Sequence, residues 1–353
     1  MRAAAWTAPE RLALVERPEP VAAPGQAVVA VAACGICGSD LHSFREGLAV
    51  KPGGVLGHEF CGEVVAAPEV RGVHVGDRVA VRPLIPCGDC PRCHTGELQL
   101  CEGSHEYDIG YGSPGAFAEQ VLVPRAVLGE TIFLLPEEVD DAAGALVEPL
   151  AVALHAVTTA EVDLDSVVLV LGAGTIGLGV ICFLRLAGAR RVVVAEPAHR
   201  RRERALALGA EIGVDPTAED VTDTMRSLTG PGPYGRGALV DVVFECSGAP
   251  AAVATALKCA RPGGTIVLGG IYGRAIPARL DIVVTKELRI RGTAAYADEF
   301  PKVISHLSAK TLEVEQLVSH TFSLEQVESA FRVQMDPEQS LKVQVRPSTA
   351  AVT

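Results

Sequence analysis

Val167-Val168-Leu169-Val170-Leu171-Gly172-Ala173-Gly174-Thr175-Ile176-Gly177 is the stretch on which the reading of the chain turns. Its first five residues are valine or leucine, the composition of a buried strand. Gly172, Gly174 and Gly177 then fall in the spacing G-x-G-x-x-G, and Leu178 to Ala187 continues as an apolar helical run. Glycines so placed permit a tight turn and let the backbone approach a pyrophosphate at the helix N-terminus. A bare match carries little weight. Here a strand precedes it, a helix follows, and a second strand, Val192 to Ala195, ends at Glu196, 19 residues past Gly177. A carboxylate there takes the ribose hydroxyls of NAD and repels the extra phosphate of NADP. Arg200, Arg201 and Arg202 follow closely, and an arginine can hold that phosphate, so NAD is expected with NADP as the lesser alternative. Their other reading is a solvated face on a helix over Ala198 to Leu208. The expected cofactor contacts are Gly172, Gly174, Thr175, Ile176, Gly177, Glu196 and Arg201, with Cys246 and Gly269 near the ends of two later strands.

Outward from this stretch, strand and helix patterns alternate: Ile212 to Val214, a helix near Asp220 to Leu228, Leu239 to Cys246, a helix over Ala251 to Ala260, Thr265 to Gly270, and Leu288 to Gly292. Alternation of this kind implies a doubly wound parallel sheet, an α/β fold. The loop Gly230 to Gly237 connects elements within it. Val167 to Leu184 is uncharged and just long enough to raise a membrane span, but Gly172, Gly174, Gly177 and Gly179 favour strand, turn and helix. The remaining chain, Thr293 to Thr353, has its own strand and helix signals, including Leu341 to Val345, and pattern alone does not say which domain it joins.

The 353 residues suggest about two domains. Apolar residues at 48% and charged ones at 21% describe a globular protein. The net charge of -12, from 31 basic and 43 acidic side chains, repels phosphate backbones and argues against nucleic acid as a partner. Ten cysteines would suit a secreted disulfide framework in a short, loop-rich chain, but several here stand at metal-ligand spacing. A reducing, cytoplasmic setting is expected, and Met1 to Leu12 lacks the apolar core of a signal peptide.

Met1 to about Ala151 reads as an irregular, mostly β domain with short runs such as Ala27 to Ala33 and Phe60 to Ala66. Cys34-Gly35-Ile36-Cys37-Gly38-Ser39-Asp40-Leu41-His42 follows its first good strand and gathers thiols, a hydroxyl, a carboxylate and an imidazole, the donors of a zinc site that acts on a proton. Cys34 reads better as a small buried hydrophobe than as a ligand. Gly57-His58-Glu59 precedes the strand Phe60 to Ala66, and a turn at Gly57 would bring both side chains toward one metal. Cys87, Cys90, Cys93 and Cys101 have the spacing C-x2-C-x2-C-x7-C, which closes a four-thiolate structural zinc. An iron-sulfur cluster and a nucleic-acid-binding zinc ribbon are the competing readings. His94, inside this lobe, reads as a surface residue. Leu146 to Ala160 reads as an apolar helix with Pro149 in its first turn and Glu148 near the N-cap, where the carboxylate is either a cap or a metal ligand. His155 reads as core.

With Gly-His-Glu, the four-cysteine lobe, Glu148-Pro149 and the glycine fingerprint in this order, the chain resembles the zinc-dependent medium-chain dehydrogenases over nearly its whole length. Leu146 to Val157 and Glu196-Pro197 look most like the butanediol and sorbitol dehydrogenase branch. The resemblance implies a GroES-like, mostly β catalytic domain over 1–151 with a zinc lobe at about 86–102, a Rossmann NAD-binding domain over 152–294, and a tail over 295–353 that returns to the catalytic domain, with the active site in the cleft between domains. It implies two zinc ions per chain, the catalytic one on Cys37, His58 and either Glu59 or Glu148, where classical relatives carry a cysteine at the position of Glu148. Asp40 would orient His58, Ser39 and His42 would relay a proton, and Ile176 and Val152 would pack on the nicotinamide. The expected reaction is reversible oxidation of a secondary alcohol. Vicinal diols and their hydroxyketones come first, sugar alcohols second and β-hydroxy amino acids third, in a homodimer or homotetramer. The aromatic content of 4% is compatible with small polar diols. The rivals are an NADPH-linked biosynthetic ketone reductase and an NAD-binding protein without chemistry, which would have little need of Ser39, His42 and His58 together.

Overall fold

The structure, a computed structural model, describes residues 1–103, 105–232 and 235–347. The chain divides into two compact units: Met1–Ala151 with Tyr296–Asp336 and Ser340–Thr353, and Val152–Ala295 with Pro337–Gln339. The division falls inside the helix Val147–Ala160.

The first unit begins with the strands β1 (Arg2–Ala8), β2 (Arg11–Glu16), β3 (Ala27–Gly35), β4 (Glu59–Ala66), β5 (Arg78–Val81), β6 (Gln120–Val123) and β7 (Ile132–Leu134). The second contributes β8 (Val167–Leu171), β9 (Arg191–Ala195), β10 (Ile212–Val214), β11 (Val240–Glu245), β12 (Ala260–Leu268) and β13 (Arg289–Gly292). The tail adds β14 (Val318–Ser323) and β15 (Lys342–Arg346) to the first unit.

In the second unit the order is β10-β9-β8-β11-β12-β13 with every pairing parallel. Numbered from β8, this is 3-2-1-4-5-6, the doubly wound arrangement whose order reverses between β8 and β11, where a crevice opens past the strand ends. Val168, Leu169 and Val170 are fully buried, each contributing about 1.5–3 kcal/mol by leaving water. The helix Thr175–Leu186 buries Gly177 through Leu184 without a break. Burial all round explains why this run resembles a membrane span by hydropathy, and among the described residues no helix is long and apolar enough to cross a membrane. Gly177 is fixed by contact, since a Cβ there would stand 2.0 Å from the Gly172 carbonyl oxygen.

In the first unit a seven-stranded sheet runs β14-β15-β3-β4-β5-β7, with β6 paired to β3. The tail strand β15 lies antiparallel to β3, with Val345 opposite Cys34 and Gln344 opposite Gly35. Residues from near the C-terminus therefore sit beside the loop that follows β3. Cys34 is fully buried in the core of this unit.

Candidate active site and cofactor pocket

After β3 the chain turns at Cys37, the N-cap residue of the helix Gly38–Glu46. Asp40, 2% exposed, accepts the Cys37 amide at 2.9 Å through Oδ2 and the Gly57 amide at 3.2 Å through Oδ1. One carboxylate thus ties the Cys37 loop to the turn that carries His58. Gly57 makes that turn at φ +98°. His58 Nδ1 lies 3.4 Å from Asp40 Oδ1, and its Nε2 lies 3.5 Å from Ser39 Oγ. His42 sits one turn further along the same helix, about a third exposed, with Nδ1 4.0 Å from Glu46. Ser39, Asp40 and His58 are thus brought together, and His42 stands toward solvent.

Two residues that the sequence reading passed over belong to this cluster. Tyr111 Oη lies 2.8 Å from Ser39 Oγ and 3.3 Å from His58 Nε2. Lys342, 2% exposed, donates to both Glu59 oxygens at 2.8 and 2.6 Å and to the Ile36 carbonyl at 2.9 Å. Burial presses the Lys342 ammonium down, but the charge of Glu59, with Cys37 and Glu148 nearby, outweighs it and holds the pKa above its ordinary value. Glu148 is raised to about 7, first by burial and then by the charge of Glu59, against His58 and Lys342. It is the second residue of the helix that begins at Val147, in the first turn just past the expected N-cap.

Four sulfurs, those of Cys87, Cys90, Cys93 and Cys101, all lie within 4.8 Å of one another. Separations of 3.9 Å for Cys87–Cys93, 3.6 Å for Cys90–Cys93 and 3.9 Å for Cys90–Cys101 match the edge of about 3.8 Å in a tetrahedron of Zn–S bonds of about 2.3 Å. Backbone amides at Glu102 and Cys93 lower the Cys90 thiol to about 6, whereas burial raises Cys93 to about 12. His94 is exposed, outside the sulfur set. No other group of three such side chains reaches this spacing among the described residues. Cys37, His58, Glu59 and Glu148 are not drawn to that spacing, and the Glu59 carboxylate is turned onto Lys342. Their chemistry still suits a cation: thiol, imidazole and two carboxylates stand against one buried ammonium.

In the second unit a pocket of about 780 Å³ opens past the ends of β8, β9 and β11, lined among others by Gly172, Gly174, Glu196, Arg201, Cys246 and Ser247. Glu196, 5% exposed, accepts the amides of Ala173 at 2.7 Å and Ala198 at 3.0 Å, so the carboxylate is held against the glycine turn. Of the three arginines only Arg201 lines the pocket. Arg200 donates to the Gln339 carbonyl, and Arg202 to the carbonyls of Glu196 and Pro197. Thr175, Ile176, Gly177, Val152 and Gly269 do not line this pocket. His155 is half-buried rather than in the core.

Residues 23–132 match the family model of the alcohol dehydrogenase GroES-like domain, and residues 175–309 match that of the zinc-binding dehydrogenase. The (R,R)-butanediol dehydrogenase of Bacillus subtilis (strain 168) is 33% identical, with 99% of this chain and 100% of that one covered. The chain belongs to the zinc-dependent medium-chain dehydrogenases. It is also similar to the sorbitol dehydrogenase of the same organism, at 31% identity covering 99% and 98% of the two chains, and to the L-threonine 3-dehydrogenase of Symbiobacterium thermophilum, at 35% covering 96% and 95%. Among solved structures, a chain described as a zinc-binding dehydrogenase from Sinorhizobium meliloti 1021, bound to NADP, superposes with a TM-score of 0.86 at 33% identity, covering 98% and 99%. A short chain alcohol dehydrogenase (rspB) from E. coli CFT073, complexed with NADH, gives 0.89 at 29%, covering 98% and 99%. As a zinc-dependent medium-chain dehydrogenase the protein is an oxidoreductase of the alcohol and polyol type, with a Rossmann sheet and a GroES-like domain.

Proposed function

We propose that the protein oxidises a secondary alcohol to a ketone, reversibly, passing a hydride to NAD, and that the alcohol is a vicinal diol of the 2,3-butanediol type with a hydroxyketone such as acetoin as product. The observation that carries the chemistry is the cluster Ser39, Asp40, His58 and Tyr111, linked by contacts of 2.8–3.5 Å beside Cys37. Cys37 and His58, with Glu59 or Glu148, would hold a catalytic zinc, and the four-cysteine lobe a second, structural one. When bound, the catalytic ion supplies Lewis acidity that makes an alcohol a stronger acid. Ser39 Oγ would accept the hydroxyl proton as it releases its own, and His42, reached by solvent, would pass a proton outward. Asp40 fixes the orientation of His58 by accepting from its loop and facing its Nδ1.

NAD is preferred over NADP because Glu196 sits at the glycine turn while Arg200 and Arg202 are engaged elsewhere. The relative at 33% identity that acts on butanediol supports the diol reading. Sugar alcohols and threonine, named for other relatives, are the alternative substrates, and an NADPH-linked reductase the alternative cofactor use. We further propose a cytoplasmic homodimer or homotetramer. The test is NADH formation from 2,3-butanediol, sorbitol and threonine in parallel, with NAD and NADP compared and with a zinc chelator added. A chelator-sensitive rate highest on the diol with NAD supports the proposal. A higher rate on sorbitol or threonine, or with NADP, replaces that part of it.

A further inference from the structure

Tyr111 stands on a loop built to hold it. The Asp108 carbonyl accepts three amides, from Tyr111 at 3.2 Å, Gly112 at 3.0 Å and Ser113 at 3.0 Å, while the buried Asp108 carboxylate accepts the Ile85 amide at 2.9 Å. Gly110 has φ +85°, and a Cβ there would stand 2.7 Å from the Gly57 carbonyl, so the loop lies directly on the turn that carries His58. The phenol ring centre is 5.0 Å from that of His58. Tyr111 also lines a cavity of about 710 Å³ whose walls include Gly47, Gly53, Gly54 and Gly112. Tyr111 is 37% exposed, so the ring is reachable from that cavity while its hydroxyl meets Ser39 and His58.

We infer that the Tyr111 hydroxyl binds the second hydroxyl of the substrate, on the carbon next to the one oxidised. This rests on the proposed diol reading and deepens it. If Ser39 Oγ takes the proton of the reacting hydroxyl, that oxygen lies within one hydrogen bond of Ser39. Tyr111 Oη lies 2.8 Å from the same Oγ. Two adjacent hydroxyls in the gauche arrangement are spaced about as two hydrogen-bonded oxygens are, so a vicinal diol can address both residues at once and a simple alcohol only one. A phenol both donates and accepts, which suits the hydroxyl of a diol and the retained hydroxyl of its hydroxyketone alike.

The experiment compares wild type with Tyr111→Phe in the zinc-loaded protein, measuring kcat/KM with NAD on 2,3-butanediol and on 2-butanol, and titrating the diol calorimetrically into the protein with NADH. Zinc content and melting temperature of both proteins serve as fold controls. The ratio of the two kcat/KM values should fall roughly tenfold in the variant, the worth of one hydrogen bond, and the diol should bind correspondingly more weakly. Equal losses on the two alcohols leave the ratio unmoved and overturn the inference, because they assign Tyr111 to the proton path or to structure. No loss on either also overturns it. A wild type that does not prefer the diol to 2-butanol removes the diol reading itself, and the inference with it, before the variant is considered.

Discussion

Replacing Lys342 with methionine removes a buried ammonium and leaves the Glu59 carboxylate, 1% exposed, without its cation. The amine makes all of its hydrogen bonds within the protein, to Glu59 Oε1, Glu59 Oε2 and the Ile36 carbonyl. Methionine fills nearly the same volume and adds no donor. Removing one partner of such a pair costs about 3–5 kcal/mol, chiefly because the surviving charge stays desolvated. At about 2–4 °C per kcal/mol, the melting temperature should fall by roughly 10 °C. Because the lysine pKa is raised on folding, its contribution is complete below its unfolded value and is lost only as pH rises through the higher folded value. The lysine's own titration therefore adds no pH dependence to the deficit between pH 6 and pH 8. The double variant Lys342→Met with Glu59→Leu removes both charges and should recover most of the loss, since an apolar pair of similar volume is often neutral. Thermal unfolding followed by circular dichroism, on zinc-loaded protein, is the assay. A single variant melting within about 2 °C of wild type would show that the carboxylate finds another partner or water, and would refute the reasoning.

Other expectations follow from the same geometry. Cys90→Ser should lower the zinc content from two ions to one per chain by elemental analysis, and Cys37→Ser should do the same while leaving the lobe loaded and abolishing turnover. Two zincs and full rate in Cys37→Ser would remove Cys37 from the catalytic set. Gly177→Ala puts a methyl group 2.0 Å from the Gly172 carbonyl and should cost about 1–3 kcal/mol or more and weaken NADH binding in a fluorescence titration. His42→Ala should slow turnover roughly ten- to a hundredfold near neutral pH and less at higher pH, where hydroxide can take the proton directly. An unchanged pH profile would take His42 out of the relay.

The Rossmann sheet was legible because its signal is local and repeated. A β-branched run, a glycine turn and an apolar helix fall within the stretch Val167–Leu186, and the observed strand β8 and helix Thr175–Leu186 follow that pattern closely. Turn chemistry at the glycines and the length of each apolar run were enough to separate it from a membrane span. The four-cysteine lobe was legible for the same reason, because its ligands are close in sequence and geometry has little freedom left. The GroES-like part was less so: its strands are short, and the contribution of the tail depends on a pairing between Gln344 and Gly35, which no local pattern announces.

Lys342 and Tyr111 show where a local reading stops. In Leu341-Lys342-Val343-Gln344-Val345 the alternation suggests an edge strand with lysine and glutamine toward water. Both residues are instead buried, at 2% and 0%, because the second face of β15 is covered as well, and the lysine meets a carboxylate 283 residues earlier. A charge in a strand buried on both faces must have a partner, and Glu59 supplies it. The pairing then sets how the metal site is read. Adjacency to His58 makes Glu59 a candidate ligand, whereas its oxygens already accept from an ammonium, and a metal there would have to share the carboxylate with that partner or displace it. Glu148, buried with a pKa raised to about 7, has the Tyr296 hydroxyl rather than an ammonium as its hydrogen-bond partner. Adjacency in sequence thus points to the carboxylate that is already paired with an ammonium, a pairing that no local pattern announces.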